Sequence, residues 1–200
     1  FVQSKQDKNL LYCATFGKGV YKSENYGRLW KSFSKGLDSL HLLSIAIHPK
    51  NDQVLLVGTS GFGIYKTIDG GIHWEQSRIG LDHGAINYLL FDPDVHHYVY
   101  AFTKDGMYKS YDEGATWIYV PTDFMQNLVN FFHVSPLNPK KFFVCARDMG
   151  FYYSENKGEN WKKVSDNDHM KEVTSVAEDP DNKLILYIGT LRDGILKYRY

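Results

Sequence analysis

The sequence predicts an all-β fold, a β-propeller built from four-stranded antiparallel blades. Three observations predict it. Short runs rich in β-branched and aromatic residues alternate with Gly, Asp and Asn, and apolar residues at helical spacing are hard to find. One motif occurs four times at a spacing of 43 or 44 residues, and the segments around it repeat in step. A period of about 40 to 50 residues with four strands per repeat is typical of propellers.

The repeated motif, which we call the box, fits the pattern (S/T)-x-(D/N)-x-G-x-x-W. Its copies are SENYGRLW (23–30), TIDGGIHW (67–74), SYDEGATW (110–117) and SENKGENW (154–161). The box tryptophans are the only four in the chain and are separated by 44, 43 and 44 residues. Chance does not produce such a pattern, so the boxes mark structurally equivalent positions.

The rest of each repeat predicts four strands, A to D. Upstream of each box lies a glycine followed by apolar residues, as in GIYKT from Gly63. Earlier still, Pro49, Pro93, Pro136 and Pro180 keep the 44, 43 and 44 spacing between strands A and B. In the second repeat we predict strand A at 43–48, B at 53–59, C at 63–67 and D at 73–77. A β-sandwich or a β-solenoid fits less well, because sandwich strands do not repeat so faithfully and solenoid coils are shorter.

The box falls on the turn between strands C and D, where its residues have a predicted structural role. We expect the hydroxyl and the Asp or Asn side chain to bond turn backbone, the glycine to adopt a positive φ, and the Trp to pack beneath the turn. The box residues are Ser23, Asn25, Gly27 and Trp30; Thr67, Asp69, Gly71 and Trp74; Ser110, Asp112, Gly114 and Trp117; Ser154, Asn156, Gly158 and Trp161. Two boxes carry Asn in place of Asp, which argues against a metal or catalytic role for Asp69.

The boxes resemble the Asp-box, or BNR repeat, of sialidase-like propellers. The longer consensus is similar to that of photosystem II assembly-factor-like proteins, xyloglucan-cleaving glycoside hydrolases and sortilin-type receptors. The resemblance covers essentially the whole chain. It implies the propeller fold but no single activity, because propellers that share blades differ in function.

About four and a half repeats are visible, which predicts a single propeller domain over residues 1–200, incomplete at one or both ends. The ring is expected to be five-bladed or part of a larger one with six to eight blades. The 23 acidic and 23 basic residues cancel, which argues against a nucleic-acid partner. No apolar stretch is long enough to span a membrane. Two cysteines without CxxC spacing indicate neither a disulfide framework nor a zinc site, so no cofactor or metal is predicted.

The A–B loops and boxes lie at one edge of each sheet, the bottom edge, and the B–C and D–A loops at the opposite, top edge. By analogy with other propellers, we expect the ligand at the top edge. The B–C loops offer aromatic rings and base–acid pairs, and a D–A loop adds a histidine. The candidate ligand-binding residues are Phe16, Phe62, Lys104, Arg147, Arg192 and His83. The alternative is that these loops are simply solvated turns.

Catalysis would require two facing carboxyl groups. Asp105, Asp148 and Asp193 are weak candidates, and no feature of the sequence selects two of them. The D–A loops also carry histidines beside acids, which metal or acid–base chemistry would use. These are His41, His83, His169, Asp38, Asp82, Asp123, Asp166 and Asp168.

The sequence therefore favours a non-catalytic binding or assembly scaffold that recognises a protein or glycan through its top-edge loops. The alternative is a carbohydrate-active glycoside hydrolase, sialidase-like or xyloglucanase-like. The chain opens on Phe1 without an initiator Met, and we expect an exported bacterial protein whose targeting segment lies outside this sequence.

Overall fold

Alternating apolar runs and turn-forming residues give one antiparallel sheet for each sequence repeat. The computed structural model describes residues 1–200 except 82–83, 104–105, 123–128, 147–148, 165–171, 183 and 200, and only the backbone of residue 130. Every regular element among these described residues is a β-strand. The chain forms two compact units, Phe1–Val120 with sheets 1 to 3 and Pro121–Tyr200 with sheets 4 and 5.

Within each sheet the strands lie in chain order. Sheet 1 holds β1 (Val2–Gln3), β2 (Leu11–Thr15), β3 (Gly19–Ser23) and β4 (Lys31–Ser32). Sheet 2 holds β5 (Leu42–Ile47), β6 (Leu55–Thr59), β7 (Ile64–Thr67) and β8 (Glu75–Ser77). Sheet 3 holds β9 (Ile86–Phe91), β10 (Val99–Thr103), β11 (Gly106–Ser110) and β12 (Ile118–Val120). Sheet 4 holds β13 (Val129–Val134), β14 (Phe142–Ala146), β15 (Gly150–Ser154) and β16 (Lys162–Lys163). Sheet 5 holds β17 (Val173–Glu178), β18 (Ile185–Thr190) and β19 (Ile195–Arg199).

The four-stranded repeat is confirmed in sheets 1 to 4, and sheet 5 has three strands among the described residues. Strands B and D of the second repeat begin two residues later than predicted. The reason is local hydrogen bonding. The backbone N–H of Gln53 donates to the Asn51 side chain, and that of His73 donates to Asp69. These residues therefore belong to turns. The prediction of a single domain over 1–200 stays a prediction.

In unit 1 the sheets pack face to face through apolar side chains. Tyr12 and Val20 of sheet 1 pack with Leu55, Val57 and Tyr65 of sheet 2. The opposite face of sheet 2 packs on sheet 3 through a second cluster, with Leu56, Ile64, Ala101 and Trp117 among its members. Sheet 2 therefore buries both faces, which explains why β6 reads as a continuous apolar run. Unit 2 has its own core, in which Phe143 and Phe151 of sheet 4 cluster with Leu186 and Ile188 of sheet 5.

Gly58 lies against Ser44 of β5 and Ile86 of β9, the strand A segments of sheets 2 and 3. A Cβ at Gly58 would clash with Ser44 Oγ and would lie 2.6 Å from Ile86 Cβ, so no larger residue fits. The Ser44 hydroxyl donates across the gap to the Ile86 carbonyl at 2.8 Å. This bond links β5 directly to β9.

The four boxes share one hydrogen-bond network. In each, the Ser or Thr hydroxyl donates to Oδ1 of the Asp or Asn at 2.7 to 3.0 Å. The same hydroxyl accepts the glycine N–H at 2.7 to 3.0 Å. Oδ1 also accepts the N–H four residues further on, at 2.8 to 3.0 Å. The predicted positive φ is present at all four glycines, with values of 79°, 90°, 81° and 85°.

In unit 1 the box tryptophans join each sheet to the one before it. The indole N–H of Trp74 in sheet 2 donates to the Phe33 carbonyl at 2.8 Å, just after β4. The indole N–H of Trp117 in sheet 3 donates to the Ser77 hydroxyl in β8 at 2.9 Å. Both rings are buried, and a Cβ at Gly71 would lie 3.6 Å from the Trp74 ring, which places the ring beneath its turn. By contrast, the Trp30 ring is half-buried.

Replacing Trp74 with Ala should lower the free energy of unfolding by about 3 to 5 kcal/mol, because a fully buried ring and its hydrogen bond to Phe33 are lost. Trp30→Ala should cost clearly less, since part of that ring already contacts solvent. Urea unfolding followed by far-ultraviolet circular dichroism measures both. Equal losses in the two variants would contradict the assigned role of Trp74.

Candidate functional site

The B–C loops at the top edge are shaped by the last threonine of strand B. The Thr59 hydroxyl accepts the Phe62 N–H at 2.8 Å and donates to the Gly63 carbonyl at 2.9 Å. The Thr15 hydroxyl donates in the same way to the Gly19 carbonyl at 2.8 Å. A short polar side chain thus bonds loop backbone that has no sheet partner. The loops are held in a defined conformation.

The D–A segment between sheets 1 and 2 connects their two B–C loops. The Leu40 carbonyl accepts the N–H groups of Gly17 and Gly19 at 2.9 and 3.1 Å. The neighbouring His41 carbonyl accepts the Ser60 N–H at 3.0 Å. The loops of both sheets are therefore bonded to one two-residue segment, which makes them a continuous surface.

This surface exposes aromatic side chains. Phe16 is 70% exposed and Phe62 is 49% exposed. The Phe16 ring packs edge-on against the His41 imidazole with 4.9 Å between the ring centroids. One face of an exposed ring held in this way is available to stack on a sugar or to pack on an apolar side chain. We call Phe16, His41 and Phe62, with the Leu40 side chain, the top patch.

Of the D–A loop acids, Asp38 has a structural role. Its Oδ2 accepts the Tyr65 hydroxyl at 2.8 Å. Burial, followed by this bond to Asp38, raises the pKa of Tyr65, so the phenol stays protonated and keeps donating. Asp38 therefore holds the segment 38–41 against sheet 2.

In unit 2, the predicted residues Arg192 and Asp193 both lie in the exposed B–C loop of sheet 5. Arg192 Nε lies 3.0 Å from Glu172 Oε2, so its charge is paired in a partly exposed salt bridge. The Asp193 N–H donates to the Thr190 hydroxyl at 2.9 Å, which repeats the threonine arrangement of sheets 1 and 2.

The remaining candidates predicted from the sequence lie outside the described residues. These are His83, Lys104, Asp105, Arg147 and Asp148. So do the D–A loop residues Asp82, Asp123, Asp166, Asp168 and His169. Across the described part of the chain, no group of three or more His, Cys, Asp or Glu side chains is arranged to hold a metal ion. Within that same part, no helix has the length and apolarity needed to cross a membrane.

Sequence reasoning did not identify the threonines that shape the loops. The signal was present, because Thr15, Thr59 and Thr190 each stand four residues before a loop glycine. The sequence also suggested His41 as a metal ligand or acid–base group. In the structure its imidazole packs against Phe16.

At the bottom edge, the Asp69 carboxylate is engaged in turn bonding. The backbone N–H of His73 and the Thr67 hydroxyl both donate to Oδ1, at 3.0 and 2.7 Å. These bonds, that of His73 first, hold the pKa of Asp69 below its ordinary value. Asn25 and Asn156 make the same two bonds through an amide oxygen. Both hydrogen bonds need an acceptor oxygen, which an amide also supplies.

Comparisons with known proteins support the fold. No family model and no curated protein sequence matches the chain. Among solved structures, an ancestral GH74 enzyme matches with a TM-score of 0.76 and 23% identity over 98% of this chain and 28% of that one. YCF48 bound to a D1 peptide matches with a TM-score of 0.68 and 15% identity over 98% of this chain and 66% of that one. The extracellular domain of the one-component system BT4673 from B. thetaiotaomicron matches with a TM-score of 0.70 and 20% identity, over 97% of this chain and 26% of that one.

The fold is that of a β-propeller. At these identities the likeness extends to the fold alone, and the chain spans about a quarter to two thirds of the proteins it matches. Each sheet described above is a propeller blade, numbered from here on as its sheet.

Replacing Asp69 with Asn should lower the free energy of unfolding at pH 7 only slightly, because an amide oxygen accepts both bonds but without the carboxylate charge. Asp69→Ala removes the acceptor and should cost about 1 kcal/mol or more. Urea unfolding of the three proteins at pH 7 measures the difference.

The same variants test the pH dependence. Because the folded pKa of Asp69 lies below the unfolded one, its stabilisation is complete above the unfolded pKa and is lost as the pH falls through the folded pKa. The wild type should therefore lose more stability than Asp69→Asn between pH 5 and about pH 2. Identical pH profiles would show that the carboxylate charge does not contribute.

Proposed function

We propose that the chain is a non-catalytic binding or assembly scaffold that recognises a protein or glycan through the top patch. The observation that carries the proposal is the exposure of Phe16 and Phe62 on two neighbouring loops whose backbones are fixed by hydrogen bonds. Large exposed apolar side chains on a fixed backbone lose little conformational entropy on binding, which favours affinity.

The surroundings of the patch support binding over catalysis. Asp38, in the D–A segment that carries Leu40 and His41, accepts a hydrogen bond from Tyr65 and holds the loop in place. His41 packs edge-on against Phe16, so its imidazole forms part of the apolar surface. A pair of opposed carboxyl groups, which hydrolysis of a glycosidic bond requires, is not part of the described patch.

Known propellers of similar fold support both partner classes. One solved neighbour, YCF48, is bound to a D1 peptide, and another is a GH74 enzyme. A phenylalanine face suits an aliphatic side chain and a sugar ring alike. Binding assays with both classes are therefore needed.

Glycoside hydrolysis is the second candidate function, and the likeness to a GH74 enzyme favours it. Asp193 is the candidate acid among the described residues, and Asp105 and Asp148 are its possible partners on other blades. A pair of them about 5 to 10 Å apart in an open groove would support the hydrolase.

We further propose that the boxes are Asp-box (BNR) repeats and that residues 1–200 belong to one propeller, five-bladed or part of a larger ring. The identical hydrogen-bond network in all four boxes supports this assignment. We also infer an exported protein. The support is the fold of BT4673, whose matched part is an extracellular domain.

The first experiment is a glycan array, followed by hydrolysis assays on β-glucans and a pull-down for protein partners. The double variant Phe16→Ala/Phe62→Ala should bind the recovered ligand at least about tenfold more weakly, since each ring contributes on the order of 1 kcal/mol. It should remain folded, because both side chains are exposed.

Tyr26→Lys is the matched control. Tyr26 is an exposed aromatic residue in the first box, at the bottom edge, with φ 58°, and Lys157 occupies the equivalent position with φ 59°. This variant should bind like the wild type. Turnover of a β-glucan, or unchanged binding by the double variant, would contradict the proposal.

A further inference from the structure

Blade 2 exposes three isoleucines, two in its box and one just after β8, at positions that are mostly polar in the sister repeats. Ile68, Ile72 and Ile79 are 72%, 63% and 67% exposed. The residues equivalent to Ile68 are Glu24, Tyr111 and Glu155; those equivalent to Ile72 are Arg28, Ala115 and Glu159; those equivalent to Ile79 are Lys35, Thr122 and Asp166. The repeat thus does not need aliphatic side chains at these positions. Single exposed apolar residues are ordinary, but three at positions where the sister repeats are mostly polar mark an interaction surface.

Two of these isoleucines, Ile68 and Ile79, border a groove between the box of blade 2 and that of blade 3. It has a volume of about 440 Å³ and is lined by Lys66, Ile68, His73, Glu75, Arg78 and Ile79, among others. Ile72 lies in the same turn, next to His73. We call this cavity the blade-2 groove.

Blade 1 carries the equivalent groove in a different form. Its volume is about 160 Å³, and it is lined by Lys22, Glu24, Asn25 and Lys31 together with Leu29 and Phe33. The groove of blade 1 is therefore smaller, and it has Glu24 at the position that Ile68 takes in blade 2. The difference comes from side chains specific to blade 2.

One wall of the blade-2 groove is the outermost strand of the blade. Among the described residues, β8 has a strand partner, β7, on one side only. The residues just before and just after β8 in the sequence form backbone hydrogen bonds with other segments. The Trp74 N–H donates to the Lys35 carbonyl at 2.9 Å, and the Trp117 N–H donates to the Ile79 carbonyl at 2.8 Å. An outer strand edge beside a groove is a template for an added strand.

The charges in the groove favour an uncharged occupant. Lys66 and Arg78 are opposed by Asp69 and Glu75 in the lining. Lys66 Nζ also lies 3.7 Å from Glu113 Oε2. The basic and acidic groups offset one another, so neither a strongly acidic nor a strongly basic ligand gains a net attraction.

We propose that the blade-2 groove binds an extended, uncharged peptide segment of a partner protein. The segment adds to the edge of β8 through main-chain hydrogen bonds and places aliphatic side chains between Ile68 and Ile79. Isoleucine has no aromatic face on which a sugar can stack, which distinguishes this groove from the top patch. The groove begins at the box and follows β8, where the Gln76 side chain donates to the Phe62 carbonyl at 2.7 Å. A peptide occupant of this groove goes beyond the function proposed above.

The test uses the double variant Ile68→Glu/Ile79→Lys. Both new residues occur at the equivalent positions of sister repeats, as Glu24 and Glu155 and as Lys35, so the variant should fold. Ile118→Lys is the matched control. Ile118 is 57% exposed and does not line the groove, and Lys31 and Lys162 are its equivalents.

The probe is a phage-displayed library of random linear peptides, first depleted on the double variant and then selected on the wild type. Recovered peptides are synthesised and measured by fluorescence anisotropy. We expect uncharged peptides with alternating aliphatic residues that bind at least about tenfold more weakly to the double variant. The Ile118→Lys variant should bind them like the wild type. N-methylation of alternate peptide amides should abolish binding, because it removes main-chain donors.

Three outcomes would overturn the proposal. One is a selection that recovers no peptide distinguishing the wild type from the double variant. Another is binding that N-methylation leaves unchanged. The third is a wild-type dimer seen by sedimentation that the double variant abolishes, which would assign the groove to a second copy of the chain.

Discussion

The hydrogen bond from a box tryptophan to the preceding blade is the interaction on which the structure of unit 1 depends. The network of each box fixes one turn. The indole N–H then donates to the preceding blade, either to a backbone carbonyl just after its outer strand or to a hydroxyl within that strand. A buried indole N–H left without a partner is costly, so the ring fits only when the preceding blade is in place. Local turn chemistry thereby sets the packing of sheet on sheet.

This constraint explains where the chain is free to vary. In blade 2 the strand B residues and most strand C residues are buried, and the box residues are occupied by their own bonds. In blades 1, 2 and 5 the B–C loops share the threonine and glycine that shape them, and at Phe16 and Phe62 the loop side chains are exposed. Residues that depart from the repeat are therefore the best guide to function.

Much of the fold was predictable because residues at the same position of each repeat occupy equivalent environments. The glycine conformation at Gly71 and the placement of Trp74 followed from the box pattern alone. The pairing of Asp38 with Tyr65, 27 residues apart, did not, because no spacing rule connects a D–A loop to strand C. Nor did the groove, since Ile68 and Ile79 read as ordinary apolar residues until their exposure is known. Both depend on how blades pack, which local sequence does not encode.

Blade 2 links the two proposed binding surfaces. Its B–C loop carries Phe62 at the top edge, and its box borders the groove at the bottom edge. The two are separated by β7, which at about 3.3 Å per residue extends on the order of 13 Å. Ile64 and Tyr65 of this strand are buried on opposite faces against blades 3 and 1, so the strand has little freedom to move. The Gln76 side chain, which lines the groove, also donates to the Phe62 carbonyl at 2.7 Å, so a hydrogen bond joins the two surfaces. Two fixed binding surfaces on one blade suit an assembly scaffold, whereas a catalyst would concentrate its functional groups in one cleft.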